Sequence, residues 1–243
     1  MRGLMNRTIL ITNDDGIHSD GIVRLARTAV KYGSVWVIAP LEQRSAASHS
    51  ITLSVPLDIK PVSFEVEGVR AFSCSGMPAD CVRIGTLRMM PTPPDVVLSG
   101  INYGYNAATD IQYSATVGAA FEASFLGYRG IALSEKDGDC HEVTDHYLED
   151  VLEELIDLTP GPDQIWNVNF PGCRLAECKG ILRNRVMSHE IVYKDSYDAI
   201  ETLEGGGVRY MVHGTLRHEA EEGTDFHALL NNAVSIGRVK NIC

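Results

Sequence analysis

The amino-acid sequence predicts an α/β fold, with a mostly parallel sheet held between two layers of helices. Short β-rich apolar runs alternate with segments whose apolar residues recur every three or four positions, through about the first two thirds of the chain. Such alternation requires crossover connections, which are right-handed and lay successive strands parallel. Several of the runs are continuously apolar rather than alternating, as expected of strands covered on both faces.

The strand candidates, in order, are TILIT, VWVIAP, RAFSCS, DVVLSG, GIALSE and IWNVNFP. A helix from about Gly21 to Tyr32 joins the first two. Its residues Ile22, Leu25, Ala26, Ala29 and Val30 fall on one face, and Gly33 supplies the stop. A second helix begins at Pro78, which suits a first helical position, and turns Cys81, Val82 and Ile84 inward. A third runs from about Thr116 to Leu126 and ends at Gly127. The segment TDHYLEDVLEELIDL is a fourth, with Thr144 as its cap and Tyr147, Val151, Leu155 and Leu158 as its stripe. Residues 50–70 read as extended pieces, a hairpin-like excursion beside the main sheet. After Gly172 the alternation stops. ILRNRVMSHEIVYKDSY and GVRYMVHGT read as strands separated by a loop with Gly205, Gly206 and Gly207. The expected organisation is therefore a catalytic domain over 1–172 and a β-rich C-terminal extension over 173–243.

The length of 243 residues is enough for one large core. The opening MRGLMNR is too short and polar for a secretory h-region, and no apolar run is long enough to span a bilayer, so the expected location is cytoplasmic. A net charge of −11 argues against a protein that wraps duplex nucleic acid. It leaves small anionic substrates open, because one bound cation reverses the local field. Cys74, Cys81, Cys140, Cys173, Cys178 and Cys243 include no CxxC pair and read as reduced packing residues.

Sites in open parallel sheets form outside the carboxyl ends of the strands. Three loops there carry chemistry. Asp14 and Asp15 follow the first strand, LEQRSAASHSIT with Ser45, Ser48 and Ser50 follows the second, and Asn102 and Asn106 follow DVVLSG. The donors are hard oxygens, which suit Mg²⁺ or Mn²⁺ rather than zinc, and a divalent cation would remove the repulsion between the adjacent carboxylates. Singly, each feature also has a plain structural reading: a turn at Asp-Asp-Gly, turn chemistry at Asn-Tyr-Gly, a solvated serine loop. Ser114, Ala115 and Thr116 immediately precede or open the third helix, whose free N–H groups can hold a phosphate or simply be capped. His18 and His49 lie near these loops and could assist.

ITNDDG, APLEQRSAASHSIT, SCSGMPADCV, SGINYGYN, YSATVGAAFEA, NVNFP and EGTDFHAL occur in the order and spacing of the SurE survival-protein family, which the chain resembles from about Arg7 to Gly237. The resemblance implies a Rossmann-like three-layer α/β/α sandwich whose C-terminal extension exchanges between subunits of a homodimer or homotetramer. It implies a metal-dependent 5′(3′)-nucleotidase acting on nucleoside monophosphates. One Mg²⁺ or Mn²⁺ per subunit would be held by Asp14, Asp15, Ser45 and Asn102, while Asn106, Ser114, Ala115 and Thr116 face the phosphate. The reaction expected at such a site is attack of water on phosphorus, with one of the two aspartates, Asp14 in this reading, also orienting or deprotonating the water. Four places depart from the family pattern: Ala46 and Ala115 stand where glycine is usual, Asp20 where proline is common, and SIGRVK where Ser-Ile-Thr-Pro-Leu is usual. A loop that needs φ > 0 at either alanine would be strained.

Three other classes compete. Haloacid-dehalogenase-type phosphatases separate their two aspartates by one residue, whereas these are adjacent. A signalling receiver needs an aspartate at the end of its third strand and a later lysine, and no strand candidate ends that way. A catalytically weak, metal-dependent nucleotide-binding protein is the remaining alternative.

Overall fold

The computed structural model describes residues 7–241; the opening MRGLMN and Cys243 lie outside them. The elements are β1 (Arg7–Thr12), α1 (Asp20–Ala29), β2 (Gly33–Pro40), β3 (Ile59–Pro61), β4 (Arg70–Cys74), α2 (Pro78–Ile84), β5 (Val96–Tyr103), α3 (Ala115–Phe125), β6 (Arg129–Glu135) and α4 (Glu142–Leu155). There follow β7 (Gln164–Phe170), β8 (Ile181–Arg185), β9 (Tyr193–Thr202), β10 (Val208–Leu216), α5 (Asp225–Leu230) and β11 (Val234–Lys240).

The main sheet has the order β3-β4-β2-β1-β5-β6-β7-β11-β8. Every pairing from β4 to β7 is parallel, β11 pairs with β8 in parallel, and β3–β4 and β7–β11 are antiparallel. Successive side chains of β1 feed opposite layers. Ile9 and Ile11 pack with Ile22 and Leu25 of α1 and Val151 of α4, whereas Leu10 packs with Val82 of α2 and Ala119 of α3. This is the expected sandwich. The chain goes one way from β1 to β2 and β4 and the other way from β5 to β7, so the sheet reverses its winding between β1 and β5. Ligand crevices open at such a point.

Two expectations need correction. Thr144 does not cap α4; the helix starts a turn earlier, behind His141, and Thr144 is buried in its first turn. The excursion at 50–70 holds the three-residue β3, which pairs antiparallel with β4 in a short hairpin at the sheet edge. The break at residue 172 is not a structural boundary, because β8 and β11 complete the main sheet and α5 packs on it. Among the described residues only the β9–β10 ribbon stands apart, as its own two-stranded sheet. Val234, Ile236 and Val239 of β11 are buried and give that strand its reason to return.

Candidate active site

β1 ends in a turn that its own side chains build. The Asn13 amide donates to the Gly16 carbonyl (3.0 Å) and to Ser19 Oγ (2.7 Å), and the Ile17 N–H donates to the Pro40 carbonyl (2.9 Å). Gly16 has φ +98°, which only glycine adopts without strain, so the chain can turn away directly beneath the two aspartates.

Asp14 is almost fully buried, at 4% exposure. Burial pushes its carboxyl up to about 6; the hydroxyl of Thr116, donating to Oδ1 at 2.6 Å, opposes this, and the neighbouring charge of Asp15 reinforces it. Asp15 is half-buried and also raised, chiefly by burial. Its Oδ2 accepts the Tyr103 N–H at 2.9 Å, and its Oδ1 lies 3.4 Å from the Gln43 amide nitrogen. That same nitrogen donates to Ser45 Oγ at 2.9 Å, linking the first two loops.

The loop after β2 is pinned at both ends. The Arg44 N–H donates to the Asp14 carbonyl (2.7 Å), and the Ser48 N–H donates to the Tyr113 carbonyl (2.9 Å). Between them Ala46 has φ +54°, the conformation that the resemblance flagged; Ala115 does not. The Asn102 amide donates to the Gly104 carbonyl (2.8 Å), which leaves its oxygen as an acceptor. Ser114 caps α3 by accepting the Val117 N–H at 3.1 Å, and its hydroxyl proton is still available to a ligand oxygen.

Asp14, Ser45, Ala46, Asn102, Asn106 and Ser114 line one cavity of about 240 Å³, together with Tyr103, Asp110 and Tyr113. Asp15 lines the adjoining cavity of about 290 Å³, with Gln43 and Glu135, and Tyr103 borders both. Thr116 and Ala115 do not line the first cavity. Both are buried, and the Thr116 hydroxyl serves Asp14 instead of facing a phosphate. His18 is exposed, and His49 is occupied with Glu122 at 2.8 Å, so neither enters the cavity.

Gln43, Tyr103, Asp110 and Tyr113 are the residues that sequence reading missed. Gln43 and Tyr103 stood inside the motifs already singled out, and Asp110 stands four residues beyond Asn106. The Asp14 and Asp15 carboxylates, the Ser45 hydroxyl and the Asn102 amide oxygen are hard-oxygen donors at these two neighbouring cavities, the donor type that Mg²⁺ or Mn²⁺ takes.

Residues 9–192 match the family described as Survival protein SurE. The chain belongs to this SurE family. A Mesorhizobium japonicum relative named 5′-nucleotidase SurE is 38% identical over 239 residues, covering 94% of this chain and 91% of the relative. A Clostridium botulinum relative of the same name is 37% identical over 232 residues, covering 94% and 90%. The crystal structure of the SurE protein from Aquifex aeolicus superposes with a TM-score of 0.82 at 33% identity, covering 97% of this chain and 94% of that one. The SurE match thus spans the strands and loops that build the cavity and extends to the α/β fold as a whole.

Proposed function

We propose that this chain is a 5′(3′)-nucleotidase that hydrolyses nucleoside monophosphates to nucleoside and phosphate, with one Mg²⁺ or Mn²⁺ per subunit. The observation that carries this reading is the cavity at the β1/β5 reversal. There a pinned carboxylate, a hydroxyl and two amides face the start of α3, in a family whose relatives bear the name 5′-nucleotidase.

Asp14, Asp15, Ser45 and Asn102 would hold the cation, which when bound neutralises charge developing on the phosphate. Ser114, through its free hydroxyl proton, and Asn106, through its amide, hold phosphate oxygens beside the positive end of α3. Thr116 fixes the Asp14 carboxylate from behind. Asp14 orients or deprotonates the attacking water. The water oxygen bonds to phosphorus, the bond to the nucleoside oxygen breaks, and the nucleoside leaves with the proton the water has lost.

A cytoplasmic, oligomeric protein belongs to the same reading. The described cysteines are free, as in a reducing compartment, and the β9–β10 ribbon is exposed throughout except at its last residue. Among the described residues no helix is long and apolar enough to cross a membrane. Duplex nucleic acid is not an expected partner of a chain with net charge −11.

The test is phosphate release from a panel of nucleoside monophosphates with Mg²⁺, Mn²⁺ or EDTA, alongside metal titration by calorimetry. Metal-dependent release is expected. Asp15→Asn should weaken metal binding and cut turnover by about 100-fold or more while the chain stays folded. Binding of nucleotide without turnover would instead identify a nucleotide-binding protein, and full activity of Asp15→Asn would refute the ligand assignment.

A further inference from the structure

Asn106 lies in an irregular loop between β5 and α3, yet it is held on every side. Its backbone N–H donates to Asn169 Oδ1 at 2.8 Å, and the Asn169 amide donates back to the Asn106 carbonyl at 3.0 Å. The Asn167 amide donates to the same carbonyl at 2.8 Å. The Asn106 side-chain amide donates to Ser134 Oγ at 2.8 Å, which fixes its rotation. Asn167 and Asn169 are the two asparagines of the NVNFP motif on β7, at 3% and 0% exposure. The Asn169 side chain thus does for one loop residue what a neighbouring strand does in a sheet: it satisfies both a donor and an acceptor of the main chain.

Two residues further on, Ala108 has φ +51°, which an alanine holds only at a cost. It is retained from the other side. Asp225, buried at the start of α5, accepts the Ala108 N–H at 2.9 Å, the Ser188 N–H at 2.9 Å and the Phe226 N–H at 2.7 Å. Asp225 belongs to the motif EGTDFHAL, 117 positions along the chain from Ala108. Neither motif supplies a residue to the cavity itself.

We propose that Asn169 and Asp225 are positioning residues for Asn106, clamping its loop from two sides so that its side-chain amide stays aimed at the substrate phosphate. This rests on the reading of Asn106 as a phosphate-holding group. Asn106, Ala107 and Ala108 are themselves buried, so their main-chain groups need partners, and buried side chains from two distant motifs supply them. They make sense where a small displacement of one amide matters, because misplacement of about 1 Å at a reacting centre can cost about 100-fold in rate.

The test is a double-mutant cycle on the Mn²⁺-loaded enzyme, with inorganic phosphate as the competitive probe. Asn169→Ala should raise the inhibition constant for phosphate and the KM together by about tenfold, while Mn²⁺ affinity by calorimetry changes by less than about twofold. In the Asn106→Ala background the same substitution should add less than about twofold, because the clamp then has nothing to aim. Asp225→Asn should act in the same direction with the same non-additivity. Asn169→Asp, close to isosteric, serves the cycle should Asn169→Ala not fold. Additive losses, or unaltered phosphate binding in the Asn169 and Asp225 variants while Asn106→Ala is impaired, would overturn the proposal alone. Unaltered phosphate binding in Asn106→Ala would overturn the reading beneath it, and the proposal with it.

Discussion

Ala46 occupies the left-handed region at φ +54° in the loop that presents Ser45 to the cavity. An alanine there carries roughly 1–2 kcal/mol of strain that glycine escapes. Glycine in turn costs about 0.4–1 kcal/mol through the greater freedom of the unfolded chain. Relief is the larger effect, so Ala46→Gly should stabilise the protein by about 0.5 kcal/mol in urea unfolding. Ala47 is not among the positive-φ residues, and there the same substitution carries only the entropic cost. Ala47→Gly should therefore destabilise by about 0.5–1 kcal/mol, and equal effects at the two positions would show that Ala46 is not strained. Ala115, the other alanine standing where the family usually has glycine, opens α3 with its side chain buried and needs no left-handed conformation.

At the scale of elements, α3 organises the site. Gly118 lets the loop after β2 lie against it: a Cβ there would come within 2.8 Å of the Ser48 carbonyl oxygen. One turn later Glu122 takes His49 at 2.8 Å and Arg83 of α2 at 2.8 Å. Burial works to raise the Glu122 carboxyl, but the hydrogen bonds from His49 and Arg83 outweigh it, and the group titrates below its ordinary value of 4.5. A depressed carboxyl contributes stability that is present above its unfolded pKa and is lost as pH falls through its folded one. Glu122→Gln should thus lower stability by about 1–3 kcal/mol near pH 7, and the gap from the parent protein should close as pH drops below about 4.5. A gap independent of pH would show that the carboxylate's charge is irrelevant. The parallel strands were legible because TILIT and DVVLSG are continuous apolar runs that no exposed element would carry. β11 was not, because VSIGRVK has an arginine and a terminal lysine, and its place depends on long-range pairing with β7. Of the site, the positions at strand ends and the cap Ser114 could be read from local pattern. The turn of the Thr116 hydroxyl toward Asp14 could not, because it follows from how α3 is rotated against β1.

At the scale of the whole molecule, the β9–β10 ribbon is the part the single chain leaves unexplained. Its base is anchored where buried Val192 meets Ala108 and Phe226, next to the loop that carries Asn106. Beyond the base Tyr197, Ile200, Tyr210, Met211 and Val212 are all exposed. An isolated two-stranded ribbon is marginal in water, and an exposed apolar face such as that of Tyr197, Val212 and Tyr210 marks a surface that another chain covers. We propose that a second copy of this chain covers it, in a homodimer or homotetramer, and the ribbon itself supplies a clean test. Tyr197 and Val212 face each other across the two strands. Replacing them together, Tyr197→Lys with Val212→Glu, exchanges an apolar pair for an opposite-charge pair that still supports the hairpin register. The apolar contact with a partner would be lost while the ribbon's own pairing survived. Sedimentation should therefore find the parent chain as an oligomer and the double variant at the mass of one chain, with the circular dichroism spectrum unchanged. A parent protein that sediments as a monomer would remove the partner from the argument. An oligomeric double variant would move the interface to another surface.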